Sequence, residues 1–314
     1  EALIHGSAPD RCAEGGIGMD TYSHLRLKSI TPELVYQYDG TLDGWLCCVY
    51  ESYQKREIPA SVISAAGPMG AASNSLFPPK IIQTDLQSAR RVKEGICNRI
   101  GADFWQILRQ AFFTCLKNKE ELMLLLTRKG FSYGDKVLLL TEDPVVQQIN
   151  KSLRFLGTEI DKWRGFVRFT EIQGVLIAVI GAKNCVLPFI APHFCRRFHQ
   201  EHFIIYDENH QMALVYRPGE RAIVPLERFS PGEIGAEEEK YKMMWRAYYD
   251  SIEIKPRHNE RCRRTHMPQW YWAYLTEMAQ DTKPKERKPQ EKKPGERNLG
   301  EKSRPPQEKL RPVP

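Results

Sequence analysis

Phe203-Ile-Ile-Tyr-Asp-Glu-Asn-His-Gln-Met-Ala-Leu-Val-Tyr216 decides the fold class. Two short apolar runs, Phe203–Asp207 and Met212–Tyr216, flank the polar link Glu208–Gln211 and read as a β-hairpin. Ala222–Leu226 extends it by a further strand. Upstream, Leu187–Phe198 has helical spacing, and before it Phe166–Thr170 and Val175–Ile180 flank Glu171-Ile-Gln-Gly174 as a first hairpin. Downstream, Tyr241, Met244, Trp245, Tyr248 and Ile252 fall on one face of a helix, and Pro268 opens a last one.

The other half of the chain has a different period. Leu34–Tyr38 is a short strand, and Asp39-Gly40-Thr41 turns into a helix carrying Leu42, Leu46, Val49 and Tyr53. Pro59–Pro79 is rich in Ser, Gly, Ala and Pro and reads as a loop. Thr84-x-x-Gln87 looks like a capping box ahead of Leu86, Ala89, Val92 and Ile96. Helices follow around 102–116 and 120–129, and Asp143-Pro144 opens a long one through Val145, Ile149, Leu153, Leu156 and Ile160. The expected fold is α+β, a helix-rich first half packed on an antiparallel sheet of β-hairpins from the second half.

Composition sets the boundaries. Of 314 residues, 41% are apolar and 27% charged, which is ordinary globular usage. The expected organisation is a poorly ordered leader over 1–33, one α+β domain over 34–280, and a disordered tail over 281–314. The tail repeats Lys283-Pro-Lys-Glu-Arg287, Lys288-Pro-Gln-Glu-Lys292 and Lys293-Pro-Gly-Glu-Arg297, with too few apolar side chains to build a core. It holds eleven Lys/Arg against six Asp/Glu, so +5 of the net +7 lies there and the body is almost neutral. Overall basicity therefore says little about what the folded body binds. No apolar run approaches the ~20 residues that span a bilayer. Eight cysteines without a C-x-x-C pair read as reduced thiols, and the expected location is cytoplasmic, with no membrane contact; a nucleoid association is expected only if the DNA-binding reading given below holds.

The residues alone do not declare a reaction. Phosphate-loop, dinucleotide-binding, nucleophile-elbow, zincin and zinc-deaminase motifs are all missing from the sequence. His193, Cys195, His199 and His202 have ligand chemistry but not the spacing of a closed site, so no metal and no cofactor is expected. The densest cationic stretch is Arg257-His-Asn-Glu-Arg-Cys-Arg-Arg-Thr-His266, followed by Trp270, Tyr271, Trp272 and Tyr274. Guanidinium forks hold phosphates and aromatic faces stack on unpaired bases. Arg257, Asn259, Arg261, Arg263, Arg264, Trp270 and Trp272 are therefore the candidate nucleic-acid contacts; a solvated helix and a packed aromatic stripe remain the plain alternative. Asp39, Glu159, Arg168 and His193 are the candidates for catalysis, although Asp39 also suits a turn.

Four ordered segments carry a family resemblance: Tyr38-Asp-Gly-Thr-Leu-Asp-Gly44, Glu159–Phe169, His193–Phe198 with Ile205-Tyr-Asp207, and Ile254-x-x-Arg257-x-Asn259 with Met267-Pro-x-x-Tyr-Trp272. Together they resemble a family of bacterial DNA repair or DNA metabolism proteins encoded beside a radical S-adenosylmethionine protein. The same domain of unknown function is also found fused to uracil-DNA-glycosylase-like domains. The chain departs from that pattern at Asp161, where the family commonly has histidine, and at Trp270, where it commonly has a basic residue. The resemblance implies a DNA-repair setting with no established reaction. Three readings follow: an accessory protein that binds damaged or unpaired DNA and works with a radical S-adenosylmethionine partner, with a uracil-DNA-glycosylase-like protein as a further partner; an enzyme acting on a DNA base or backbone; and a scaffold that binds only a partner protein.

Overall fold

The computed structural model describes residues 30–65 and 78–278, so most of the expected leader, the residues 66–77 and the basic tail lie outside the described residues. The chain is α+β, with most helices in the first half and a five-stranded, mostly antiparallel sheet in the second.

The first half holds more sheet than its sequence suggests. Strand β1 (Thr31–Tyr38) lies between β2 (Pro59–Ser64) and β3 (Lys80–Ile81), parallel to both. This corrects the reading of Pro59–Pro79 as loop. The first six residues form a parallel strand whose mixed burial replaces strict alternation, and Ser, Ala and Pro hide its Val62-Ile63 pair. Helix α1 (Leu42–Gln54) starts at Thr41, whose hydroxyl accepts from the Gly44 N–H at 3.0 Å. Helix α2 (Leu86–Arg99) is capped by Asp85 rather than by Thr84, because Asp85 accepts from the Gln87 and Ser88 N–H groups. Helices α3 (Ala102–Phe112) and α4 (Lys119–Tyr133) complete this half.

The 23-residue α5 (Pro144–Phe166) joins the halves. Asp143 caps it, accepting from the Val145 and Val146 N–H groups, and Pro144 occupies the first turn. Val145, Val146 and Ile149 belong to the first core; Leu156, Ile160 and Trp163 belong to the second. The 3.6-residue apolar period carries α5 on to Phe166, so the first hairpin begins later than expected, at β4 (Thr170–Ile172). Gln173 and Gly174 take φ of 52° and 77°, the two positive values that a tight two-residue hairpin turn requires. Glu171 and Ile172 consequently pair with β5 (Val175–Ile180) instead of forming the turn.

Helix α6 (Leu187–Arg197) crosses over to β6 (Phe203–Asp207), which runs parallel to β5. The antiparallel hairpin read from Phe203–Tyr216 is present as β6 and β7 (Met212–Arg217), and β8 (Glu220–Pro225) closes the order β4-β5-β6-β7-β8. Helix α7 (Ala236–Ser251), helix α8 (Glu260–His266) and a 3-10 turn (Gln269–Tyr274) lead back onto the second core through Tyr271, Trp272, Leu275 and Met278. No helix among the described residues is long and apolar enough to cross a membrane.

Candidate nucleic-acid interface

The parallel pair β5–β6 brings two carboxylates to the carboxyl ends of its strands. Glu159 on α5 is 1% exposed and accepts from the Lys183 N–H at 2.8 Å, the Asn184 N–H at 2.9 Å and the Asn184 side-chain amide at 2.6 Å. The Asn184 carbonyl oxygen in turn accepts from the Cys115 N–H at 2.8 Å, which ties this loop to the first half. Asp207 ends β6 fully buried; it accepts from the Asn209 N–H and pairs with His210 Nδ1 at 2.8 Å. The Asn209 amide reaches back to the Ala182 carbonyl at 3.1 Å. Gly181 has no room for a side chain, because a Cβ there would lie 1.9 Å from the Tyr274 hydroxyl. Burial raises the pKa of Glu159, and the charge of Asp207 raises it further, against three hydrogen bonds that favour the anion. Both carboxylate oxygens of Glu159 and the N–H, amide nitrogen and amide oxygen of Asn184 are engaged in holding the loop.

The remaining candidates for catalysis stand elsewhere. Asp39 follows β1 in the other half; its carboxylate accepts from the Thr41 N–H and hydroxyl, both at 2.8 Å, and from the Thr84 hydroxyl at 2.7 Å. It is a turn residue that fastens the starts of α1 and α2 together. Arg168 makes a two-pronged ion pair with Glu277, at 2.7 and 3.2 Å, and Trp245 Nε1 donates to the same carboxylate at 3.0 Å. That arrangement fastens α7 and the end of the fold to the sheet. His193 sits half-buried on α6, where burial and the guanidinium charges of Arg164, Arg197 and Arg196 lower its pKa. Among the described residues, no group of three or more His, Cys, Asp or Glu side chains is placed to hold a metal ion.

The arginine segment, by contrast, builds a concave surface. Arg257, His258, Asn259, Cys262 and Arg263 line a cleft of about 390 Å³ together with the 252–254 stretch. Asn259 shapes it by capping α8, its side-chain oxygen accepting from the Cys262 N–H at 2.9 Å. Glu260 lies between Arg263 and Arg264 at 3.0 and 3.1 Å and offsets part of their charge. Arg257 and Arg261 are exposed and have no acidic partner among the described residues. The two tryptophans separate. Trp272 is 5% exposed, donates from Nε1 to the Met267 carbonyl and lies under the Arg263 guanidinium at 4.9 Å. It is a packed side chain rather than a surface for stacking. Trp270 is half-buried against Trp163 and Tyr271, with Lys183 Nζ 4.8 Å from its ring centre. Lys183, Asn184 and Glu277 escape a sequence reading because each is a single polar residue in a loop, with no motif around it.

The family model that matches the chain is a domain of unknown function, DUF4130, over residues 117–277. Its span runs from just before α4 to Glu277, taking in the Glu159 network, the Arg168 ion pair and the cationic cleft, while Asp39 and the parallel sheet lie outside it. No curated protein and no solved structure matches the chain. With just over half of its residues inside that span, the chain belongs to the DUF4130 family.

Proposed function

We propose that this protein is a DNA repair or DNA metabolism accessory factor that binds unpaired or damaged DNA at the cleft between α7 and α8. One observation carries the reading: Arg257, Asn259 and Arg263 line one concave surface, and Arg257 and the neighbouring Arg261 are exposed with no acidic partner among the described residues. Guanidinium forks on phosphate displace condensed counterions, so a nearly neutral body can still bind through such a patch. Trp270, half-buried beside the Lys183 ammonium, sets a partly exposed aromatic ring next to a cation that can pair with a phosphate. The dispersal of Asp39, Glu159, Arg168 and His193 over four surroundings supports an accessory role over catalysis. The resemblance to proteins encoded beside a radical S-adenosylmethionine protein makes that protein the proposed partner, at the nucleoid of the cytoplasm, with a uracil-DNA-glycosylase-like protein as a second.

The test is fluorescence anisotropy with labelled single-stranded and duplex oligonucleotides at several salt concentrations. Arg257→Ala with Arg261→Ala should weaken single-strand binding by about 1 kcal/mol or more per lost contact. It should also reduce the salt slope by about 0.7 per contact. Equal binding and equal slope in the variant would remove the patch assignment and leave the partner-binding scaffold as the better reading.

A further inference from the structure

Helices α5 and α6 gather a second group of cations, away from the residues that line the cleft. Leu187, Ile190, Ala191 and Phe194 of α6 share a core with Leu156, Ile160 and Trp163 of α5. That packing brings Arg164, in the last turn of α5, within electrostatic reach of His193 on α6. His193, Arg196 and Arg197 fall together on one flank of α6, at i, i+3 and i+4. The half-buried imidazole therefore sits among three guanidiniums. Arg164 has an acid, Asp161, 3.1 Å from its Nη1, whereas Arg196 and Arg197 are exposed with no acidic partner among the described residues. Cations in a last turn offset a helix dipole, but each helix end amounts to only about half a unit charge. Three guanidiniums against Asp161 and two helix ends leave roughly one unit of positive charge.

We propose that Arg164, Arg196 and Arg197 around His193 form a second phosphate contact, which holds the backbone of the DNA strand bound at the 257–263 cleft. The proposal rests on the DNA-binding reading and adds a second anchor to it. Gathering like charges costs a fold and returns nothing to it, so the surplus is explained by an anion from outside. A phosphodiester supplies the one negative charge that the surplus calls for. Guanidinium forks bind its oxygens in pairs, and a neutral imidazole adds an N–H donor without adding charge. All four side chains lie inside the family-matched span, like the cleft itself. Two anchors would fix the path of a strand, where one would only tether it.

Nuclear magnetic resonance of the His193 imidazole in the full chain tests it, with His193→Gln identifying the resonance. A single-stranded oligonucleotide should raise the pKa of His193, because a bound phosphate offsets the guanidinium charges. Arg196→Gln with Arg197→Gln should abolish that rise and weaken single-strand binding by roughly tenfold or more. It should also lower the salt slope by about 1.4, at about 0.7 per contact. Both positions are exposed, so the melting temperature should stay level with the parent's. An unmoved His193 resonance, with parent-like binding by the double variant, overturns the proposal. If Arg257→Ala with Arg261→Ala still weakens binding in that case, the cleft reading survives alone; if neither variant weakens it, both fall. Loss in the Arg196/Arg197 variant alone, with His193 shifted, keeps this contact and removes the cleft. Inorganic phosphate that shifts His193 as far as the oligonucleotide at equal phosphate concentration overturns the assignment to a nucleic-acid strand. So does a shift with poly-glutamate but not with oligonucleotide, which would give the patch to an acidic protein.

Discussion

Two polar clusters, one around Glu159 and one around the 257–263 cleft, have opposite designs. Around Glu159 the polar atoms are buried and matched: two N–H groups and an amide converge on one carboxylate, and the amide oxygen is used as well. Around the 257–263 cleft, cations outnumber their acid, and Arg257 and Arg261 point into solvent without an acidic partner among the described residues. The first pattern is what a fold needs, because a buried polar group without a partner costs more than a satisfied one returns. The second is what a ligand needs, because an unmatched exposed charge keeps its interaction available. Both clusters sit within family-matched chain, so membership does not tell them apart. Matching does.

The contrast can be broken most decisively at Glu159. Glu159→Ala strands three donors in the interior, at about 1–3 kcal/mol each, so a loss of roughly 4 kcal/mol or more is expected in urea denaturation. A loss under ~1 kcal/mol would mean that the network does not hold the loop. Next come the tryptophans, which the sequence treats alike. Trp272→Ala should cost about 3–4 kcal/mol by opening the second core, and Trp270→Ala clearly less, near 1–2 kcal/mol. Equal losses would put Trp270 in the core and end its candidacy as a stacking residue.

How much of this was legible follows from how local each signal is. The β6–β7 hairpin, the Asp143-Pro144 helix start and the α7 periodicity depend on neighbours in sequence, and the structure has all three. What periodicity could not supply is orientation: it groups Tyr241, Met244, Trp245, Tyr248 and Ile252 on one face without saying that the face meets solvent. Strand β2 stayed hidden for a related reason, since a parallel strand takes its partner from β1 across a helix and Pro59–Ser64 carries no alternation of its own. The 257–263 cluster was readable as a charge density. Its division into Arg263 and Arg264 beside Glu260, with Arg257 and Arg261 apart, required the turn of α8. Arg168 misled because its partner, Glu277, lies 109 residues away.

Two buried glutamates sharpen the comparison by titrating in opposite directions. Glu159 has a folded pKa raised above the ordinary 4.5, chiefly by burial. Its proton-linked stability is therefore complete below 4.5 and lost as pH rises through the folded value. For Glu277, burial is the largest single influence and pushes upward, but the hydrogen bonds from Arg168, its own backbone N–H and Trp245, with the Arg168 charge, together outweigh it and hold the pKa below 4.5. Its contribution is complete above 4.5 and lost as pH falls through the folded value. Urea midpoints measured against pH should show this. Glu159→Gln should flatten the decline above 4.5, and Glu277→Gln should flatten the acid limb below it. The same limb flattening in both variants would show that the two carboxylates share one environment.

The smallest expected effect on stability is at the cleft, and its smallness is the point. Arg257 and Arg261 are exposed, and no described acid pairs with either, so removing them takes away neither packing nor an ion pair. Exposed positions of this kind usually move stability by no more than about 0.5 kcal/mol. Arg264→Ala should do little more, because its partner Glu260 is surface-exposed and such pairs contribute about 0–1 kcal/mol. Arg263→Ala should cost more than these, since its guanidinium covers Trp272 and its side chain is only 27% exposed. A thermal-melt series over the four single alanine variants therefore ranks Arg263 alone as structural. If Arg257→Ala or Arg261→Ala proved as costly as Arg263→Ala, those arginines would be serving the fold, and the contrast between matched and unmatched polar clusters would fail at the place where it assigns function.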